Sequence, residues 1–275
     1  LVFIIGWVAD NFFPQVQRGA ELEDKILIDE GERRGHEIIR MGKLTKDVDL
    51  YIVANCVDTF NIGDLLGYLS QKPYINIEHD LRAPQYPFYK MFAGDALINV
   101  YHSPLQRQLI ERFAGKFNHF LHAMCLPDMF KDLGLRRRPK CEVLFVGDYS
   151  WEKGYRELVE WVEQQPKCIR IWHYGGGFEE THSKMVEKGY VDQKTMVQIY
   201  NQFKTLVFLP HYPQACSRVI AEAFLCKVPY IITNLKDGFS SYNWKPSDYD
   251  MVRKRLVNGH KLWWDKIEEV IKNEG

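Results

Sequence analysis

Leu209-Pro210-His211-Tyr212-Pro213-Gln214-Ala215-Cys216-Ser217-Arg218-Val219-Ile220-Ala221-Glu222-Ala223 is the stretch whose reading decides the fold. The apolar run Thr205–Leu209 before it predicts a strand, the two prolines a turn, and Ser217–Leu225 a helix, with a further strand at Tyr230–Thr233. The first backbone N–H groups of that helix have no intrahelical acceptor and can hold an anion. Arg218 lies in the first helical turn, where a cation opposes the helix dipole; a bound phosphate would explain it, and a solvent-exposed arginine is the plain alternative. Glu222, at helical spacing, offers Arg218 a simple intrahelical ion pair.

Working outward, short apolar runs alternate with helical patterns almost to the end, as expected of parallel α/β sheets. Strands are predicted at Leu1–Trp7, Ile38–Met41, Leu50–Ala54, Tyr74–Ile77, Ala96–Tyr101 and His119–Leu121. Helices are predicted at Ala20–Arg34 and Pro104–Phe113, the latter opened by Ser103, Pro104 and a back-reaching Gln106. Leu126–Lys140, with two prolines, Gly134 and a basic run, breaks the rhythm. After it come strand Glu142–Val146, helix Tyr155–Gln164, strand Ile169–Tyr174 and helices Glu180–Lys188 and Gln193–Phe203. Two helical segments near Tyr249–Val257 and Leu262–Lys272 close the pattern. The chain is therefore expected to divide into residues 1–134 and 135–275, two similarly built halves. Ligands of open α/β sheets bind beyond the carboxyl ends of the strands, so the informative residues should follow strands.

Composition narrows the function classes. Of 275 residues, 46% are hydrophobic and 26% charged, values that suit a packed globular protein. Lys plus Arg equals Asp plus Glu at 36 each, so no charge excess points to a nucleic-acid partner. Arg136, Arg137, Arg138 and Lys140 form the one dense basic run; it reads as a solvated linker, and a peripheral membrane contact has no other support. The six cysteines show no CxxC pair and no zinc-like spacing with histidine, and a reduced, cytoplasmic setting fits them. Leu1-Val2-Phe3-Ile4-Ile5 has no basic leader or small-residue cleavage site and reads as a first strand.

Two more loops follow strands in the second half. In Gly147-Asp148-Tyr149-Ser150-Trp151-Glu152-Lys153-Gly154, Gly147 permits a sharp turn and Lys153, just before a helix, could meet a diphosphate; an ordinary βα turn explains the string as well. Gly175-Gly176-Gly177 permits close backbone approach but is neither a dinucleotide fingerprint nor a P-loop. Asp47-Val48-Asp49 precedes a strand and Asp248-Tyr249-Asp250 opens a helix, so both DxD strings read as structural and no metal is expected. Trp161, Trp263 and Trp264 read as core, and Trp151, beside Lys153, as a candidate ligand contact.

These loops resemble those of the large retaining glycosyltransferase family of GT-B fold that includes sucrose synthases and phosphatidylinositol mannosyltransferases. Glu222-Ala223 matches the second glutamate of the family's hallmark, and Cys226–Ile232 resembles the strand approach that follows. Gly189-Tyr190-Val191, Tyr200 and Lys153-Gly154 match further family positions. Arg18-Gly19-Ala20-Glu21, Glu78-His79-Asp80 and Pro127-Asp128-Met129-Phe130 match more loosely.

The resemblance implies two Rossmann-like domains facing each other across a cleft, 1–134 taking the acceptor and 135–275 the nucleotide-sugar, with the last helices able to pack back on the first domain. It implies that Glu222 holds the ribose hydroxyls, that the helix N-terminus at Ser217–Val219 with Lys153 neutralises the diphosphate, and that Gly19 and Gly147 let backbone approach the phosphates; that Arg218 adds positive charge there is an inference beyond the resemblance. Val191 would meet the base and His79 the sugar or acceptor; His79, Lys153 and Gln214 would be the catalytic set. The expected activity is sugar transfer from a nucleoside-diphosphate donor to an unidentified acceptor, with retention, and without metal or cofactor. Two positions depart from the family: Gln214 stands for its first glutamate, and Asp148 for a usual arginine. They keep open a non-catalytic binding module; the other alternative is a nucleotide-sugar epimerase of the same fold.

Overall fold

Parallel strands buried on both faces read as unbroken apolar runs, and the runs of the first half enter one such sheet. The structure, a computed structural model, describes residues 2–12, 19–41, 47–54, 62–81, 88–177 and 182–274. Its elements run β1 Ile4–Val8, α1 Gly19–Arg33, β2 Glu37–Met41, β3 Leu50–Val53, α2 Ile62–Leu69, β4 Tyr74–Glu78, α3 Tyr89–Asp95, β5 Ile98–Tyr101, α4 Pro104–Phe113 and β6 His119–Leu121. They continue with β7 Glu142–Val146, α5 Tyr155–Glu163, β8 Arg170–Tyr174, β9 Met185–Glu187, α6 Gln193–Gln202, β10 Thr205–Phe208, α7 Arg218–Leu225, β11 Tyr230–Thr233, α8 Tyr249–Val257 and α9 Gly259–Glu274.

The chain forms two units, one of Leu1–Cys125 with Lys254–Gly275 and one of Leu126–Arg253. In the first, a six-stranded parallel sheet has the order β2-β1-β3-β4-β5-β6. Alternate side chains feed opposite cores: Ile5, Trp7, Leu50 and Ile52 pack in one, Val8, Tyr51 and Val53 in the other. Helix α9 completes the first of these with Trp263, Trp264 and Ile267. Trp264 Nε1 donates to Leu27 O at 2.7 Å, and a Cβ on Gly31 of α1 would lie 2.2 Å from the Trp264 ring. The second unit holds a five-stranded parallel sheet, β11-β10-β7-β8-β9.

Arg34 joins α1 to α9, reaching Glu30 at 3.0 Å, Asp265 at 2.8 Å and Glu268 at 3.1 Å. Hydrogen bonds from Arg33 chiefly, then Arg34, outweigh burial and take the Glu30 carboxyl from its ordinary 4.5 to about 2. A lowered folded-state value stabilises above pH 4.5, and that contribution disappears as pH falls through about 2. Acid melting of the wild type should therefore steepen across this window, and Glu30→Gln should flatten it; equal slopes in both proteins would refute the assignment.

Four expectations need correction. The helix expected over Glu180–Lys188 is absent: residues 180 and 181 lie outside the described residues, and Met185–Glu187 is β9, paired with Ile171–His173 of β8. Tyr149 Oη, 2.7 Å from Glu187 Oε1, and His173 Nδ1, 2.7 Å from Glu187 Oε2, pin that edge strand. The division falls after Cys125, earlier than Gly134, because Leu133 N–H donates to Asn201 at 2.6 Å and Phe130 packs on Tyr200 in the second unit. The basic run is no solvated linker. Arg136 donates to Tyr200 O and Asn201 Oδ1 at 3.4 and 3.2 Å, Arg138 covers the Trp172 ring at 3.9 Å, and Lys140 lies over Tyr230. At α4, Ser103 accepts from Gln106 N as expected, but Gln106 Oε1 reaches back to the N–H of His102.

The two DxD strings are used structurally. Asp49 accepts from Ile4 N at 2.8 Å, and Asp248 from Lys245 N at 2.9 Å. Trp263 and Trp264 are fully buried and Trp151 is exposed. Among the described residues no helix is long and apolar enough to cross a membrane.

Candidate functional site

The second unit gathers its polar loops at the carboxyl ends of β7, β8 and β10. Gly154, the N-cap of α5 at φ +81, comes so close to the β10 loop that an added Cβ would meet Leu209 O at 1.7 Å. That approach sets Lys153 beside the turn after β10, where its Nζ donates to Gln214 Oε1 at 2.8 Å. A glutamate there would neutralise Lys153; the amide leaves its charge in place, and among the described residues no carboxylate pairs with it. Gln214 is held in turn by backbone bonds to Lys236 and Gly238.

At the start of α7, Ser217 is the N-cap but makes no side-chain capping bond. Its Oγ and Arg218 Nη2 are buried without a hydrogen-bond partner among the described residues. Arg218 Nε meets Glu222 Oε1 at 2.6 Å, and Tyr200 Oη donates to Glu222 Oε2 at 3.1 Å. Burial pushes the Glu222 carboxyl up, opposed by Arg218 and Tyr200. Glu222 forms one wall of a cavity of about 190 Å³ lined also by Phe130, Gly147, Asp148, Gly175, Tyr190, Val191 and Met196. Asp148 is turned toward the glycine loop: its Oδ1 accepts from Gly176 N at 3.1 Å and Tyr190 Oη at 2.6 Å. Gly147, at φ +132, leaves open space where a side chain would stand, and His173 Nε2 donates to its carbonyl at 2.6 Å.

The first unit holds a different constellation at the same end of its sheet. His79, His102 and His122 each follow directly on a strand, β4, β5 and β6, and face Glu23 of α1. His79 Nε2 lies 2.9 Å from Asp24, and its Nδ1 3.8 Å from Glu23 Oε2. His102 Nε2 is 3.8 Å from the same oxygen, and His122 Nε2 is 3.5 Å from Glu23 Oε1 and 3.3 Å from Cys125 Sγ. Burial opposes charge on Glu23, but His102, His122 and His79 outweigh it and hold the carboxyl well below its ordinary range. Burial likewise opposes the His79 imidazolium, yet Asp24 first, then Glu23 and Asp80, lift it to about 9. His102 follows burial, down to about 4.

No protein-family model matches the sequence, and no curated protein does. Among solved structures the chain is similar to HepE from Anabaena in complex with UDP-glucose, at 11% identity and TM-score 0.73 over 97% of this chain and 99% of that one. AviGT4, a glycosyltransferase involved in avilamycin A biosynthesis, matches at 12% identity and TM-score 0.62 over 98% and 97%. Sucrose-phosphate synthase from Thermosynechococcus elongatus matches at 12% and 0.60 over 82% and 74%. The fold is GT-B.

Within the second GT-B unit, the cavity brings together Gly147, Val191 and Glu222, and Arg218 joins it through Glu222. Lys153 and Gln214 meet each other, and Ser217 and Val219 belong to the start of α7; none of these four lines the cavity. Gly19 and His79 belong to the first unit, Gly19 as the exposed first residue of α1 and His79 with a side chain 5% exposed. Arg18 lies outside the described residues. The sequence reading missed the roles of Phe130, Met196 and Asp148, which tertiary packing alone assigns. It also missed Glu23, His102, His122 and Cys125, although the repeat of a strand followed at once by histidine was visible.

Proposed function

We propose that this chain is a glycosyltransferase that moves a sugar from a nucleoside-diphosphate donor to an acceptor hydroxyl with retention of anomeric configuration. The observation that carries this reading is the pair of buried donors, Ser217 Oγ and Arg218 Nη2, left without hydrogen-bond partners among the described residues at the N-terminus of α7. Buried polar groups in native proteins are paired, and a diphosphate supplies the missing acceptors. The likeness to HepE, whose structure holds UDP-glucose, makes uridine diphosphate and its glucose ester the probes to try first.

In this reading Glu222 accepts hydrogen bonds from the ribose diol with lone pairs that Arg218 and Tyr200 leave over. Gly147 lets the backbone approach the phosphates, and the Val191 backbone meets the base. Lys153 and Arg218, with the α7 amides, stabilise negative charge on the departing diphosphate, so no divalent ion is needed there. The acceptor oxygen bonds to the anomeric carbon as the bond from that carbon to the diphosphate oxygen breaks. The freed diphosphate oxygen takes the acceptor's proton on the same face. Gln214, tethered to Lys153, orients the transferred sugar. His79, buried against Asp24, is left to order the first unit.

A thermal-shift series with uridine, guanosine and adenosine diphosphates and their sugar esters tests this. A ligand at a hundredfold excess over its Kd stabilises the folded state by about 2.7 kcal/mol, and the shift should survive chelation by EDTA. Glycosylated product must then appear from the matching donor. Free sugar alone would favour an epimerase or hydrolase, binding without turnover a recognition module, and no shift with any nucleotide would remove the reading altogether.

A further inference from the structure

We propose that the first unit carries a transition-metal site of the zinc class, built from Glu23, His122 and Cys125. It is independent of the donor site, which belongs to the second unit. Carboxylate, imidazole and thiol atoms of Glu23, His122 and Cys125 all lie within 4.8 Å of one another. The separations are 3.5 Å from Glu23 Oε1 to His122 Nε2 and 3.3 Å from His122 Nε2 to Cys125 Sγ. A tetrahedral ion with bonds of roughly 2.0–2.3 Å places its ligand atoms about 3.3–3.6 Å apart, so these groups need to move little.

The neighbouring groups hold the carboxylate in place. His102 Nε2 lies 3.8 Å from the other oxygen, Glu23 Oε2, and its Nδ1 is bonded to His122 O at 3.1 Å. The Cys125 N–H donates to Glu23 Oε1 at 3.0 Å and fixes that carboxylate against the thiol. Gly259, the first residue of α9, closes over the pair: a Cβ there would lie 3.2 Å from both Cys125 Sγ and the His122 ring. Asp24 is buried beside the set, its Oδ2 without a hydrogen-bond partner among the described residues. A thiol and an imidazole beside one carboxylate select zinc over magnesium or calcium. The ion would tie α1 to the end of β6.

Adding Co(II) to the chelator-treated protein reads the site directly. The expected result is one equivalent per chain, intense tetrahedral d–d bands and a thiolate-to-metal charge-transfer band. Cys125→Ser should delete the charge-transfer band and weaken zinc binding at least about tenfold, while Cys168→Ser, at an exposed thiol, should change neither. X-ray absorption of the zinc-loaded wild type needs no variant and should show one sulfur among nitrogen and oxygen ligands. A sulfur-free shell, a charge-transfer band that survives in Cys125→Ser, or no bound metal would overturn the proposal.

Discussion

A Glu222→Ala variant is expected to lose the nucleoside-diphosphate thermal shift completely and to unfold more easily. The Arg218 side chain is only 16% exposed, and Glu222 is its carboxylate partner at 2.6 Å. Deleting one member of such a pair strands the other and typically destabilises by about 3–5 kcal/mol. Tyr200, fully buried, loses its acceptor as well, and the ribose loses the oxygens proposed to hold it. Glu222→Gln separates the effects: it keeps the volume and one acceptor oxygen but not the charge opposite Arg218, so it should lose less stability than Glu222→Ala while still binding nucleotide weakly. Urea midpoints and calorimetric titration of the two variants decide the matter. A full-sized shift in Glu222→Ala would remove this residue from the site.

Gly154→Ala should be the most damaging single change in the second unit that touches no proposed ligand contact. The residue has φ +81, a conformation that an alanine adopts at a penalty of roughly 1–2 kcal/mol. Its Cβ would meet backbone, Leu209 O at 1.7 Å and Pro210 Cα at 3.1 Å, and neither can swing aside as a long side chain would. Relief requires the two loops to part, for a total loss above about 3 kcal/mol. Parting them also carries Lys153 away from Gln214, so nucleotide affinity should fall with stability. Gly134→Ala is the control: it has positive φ, +68, but open space around the new methyl, so chemical denaturation should show a clearly smaller loss. Equal losses would mean that the close approach at Gly154 is unimportant.

Parts of this architecture were legible because parallel strands covered on both faces must be apolar throughout. Ile4–Val8, Leu50–Val53 and Glu142–Val146 therefore announced themselves. β9 did not: three residues, Met185-Val186-Glu187, carry no period, and their extended form comes from pairing with β8 and from Tyr149 and His173. The proline-rich and basic break was visible, but its anchors, Asn201 for Leu133 and Tyr200, Asn201 and Trp172 for the arginines, lie far along the chain. The same contrast holds for the sites. Arg218 and Glu222 are one helical turn apart, so their pairing could be read from spacing; the bond from Lys153 to Gln214 could not. Three histidines at successive strand ends were printed in the sequence, but Glu23, which gathers them, comes from α1.

The two tryptophans of α9 give the order of synthesis a structural meaning. Trp263, Trp264 and Ile267 belong to the same apolar cluster as Ile5, Trp7 and Leu27, although the whole second unit is encoded between them. A ribosome delivers the amino-terminal layer first, with the groove along α1 around Gly31 uncovered until the indole of Trp264 emerges to fill it. The half that leaves the exit tunnel earliest is thus the half that finishes last, and during elongation it is the part most exposed to chaperones and to association with other nascent chains.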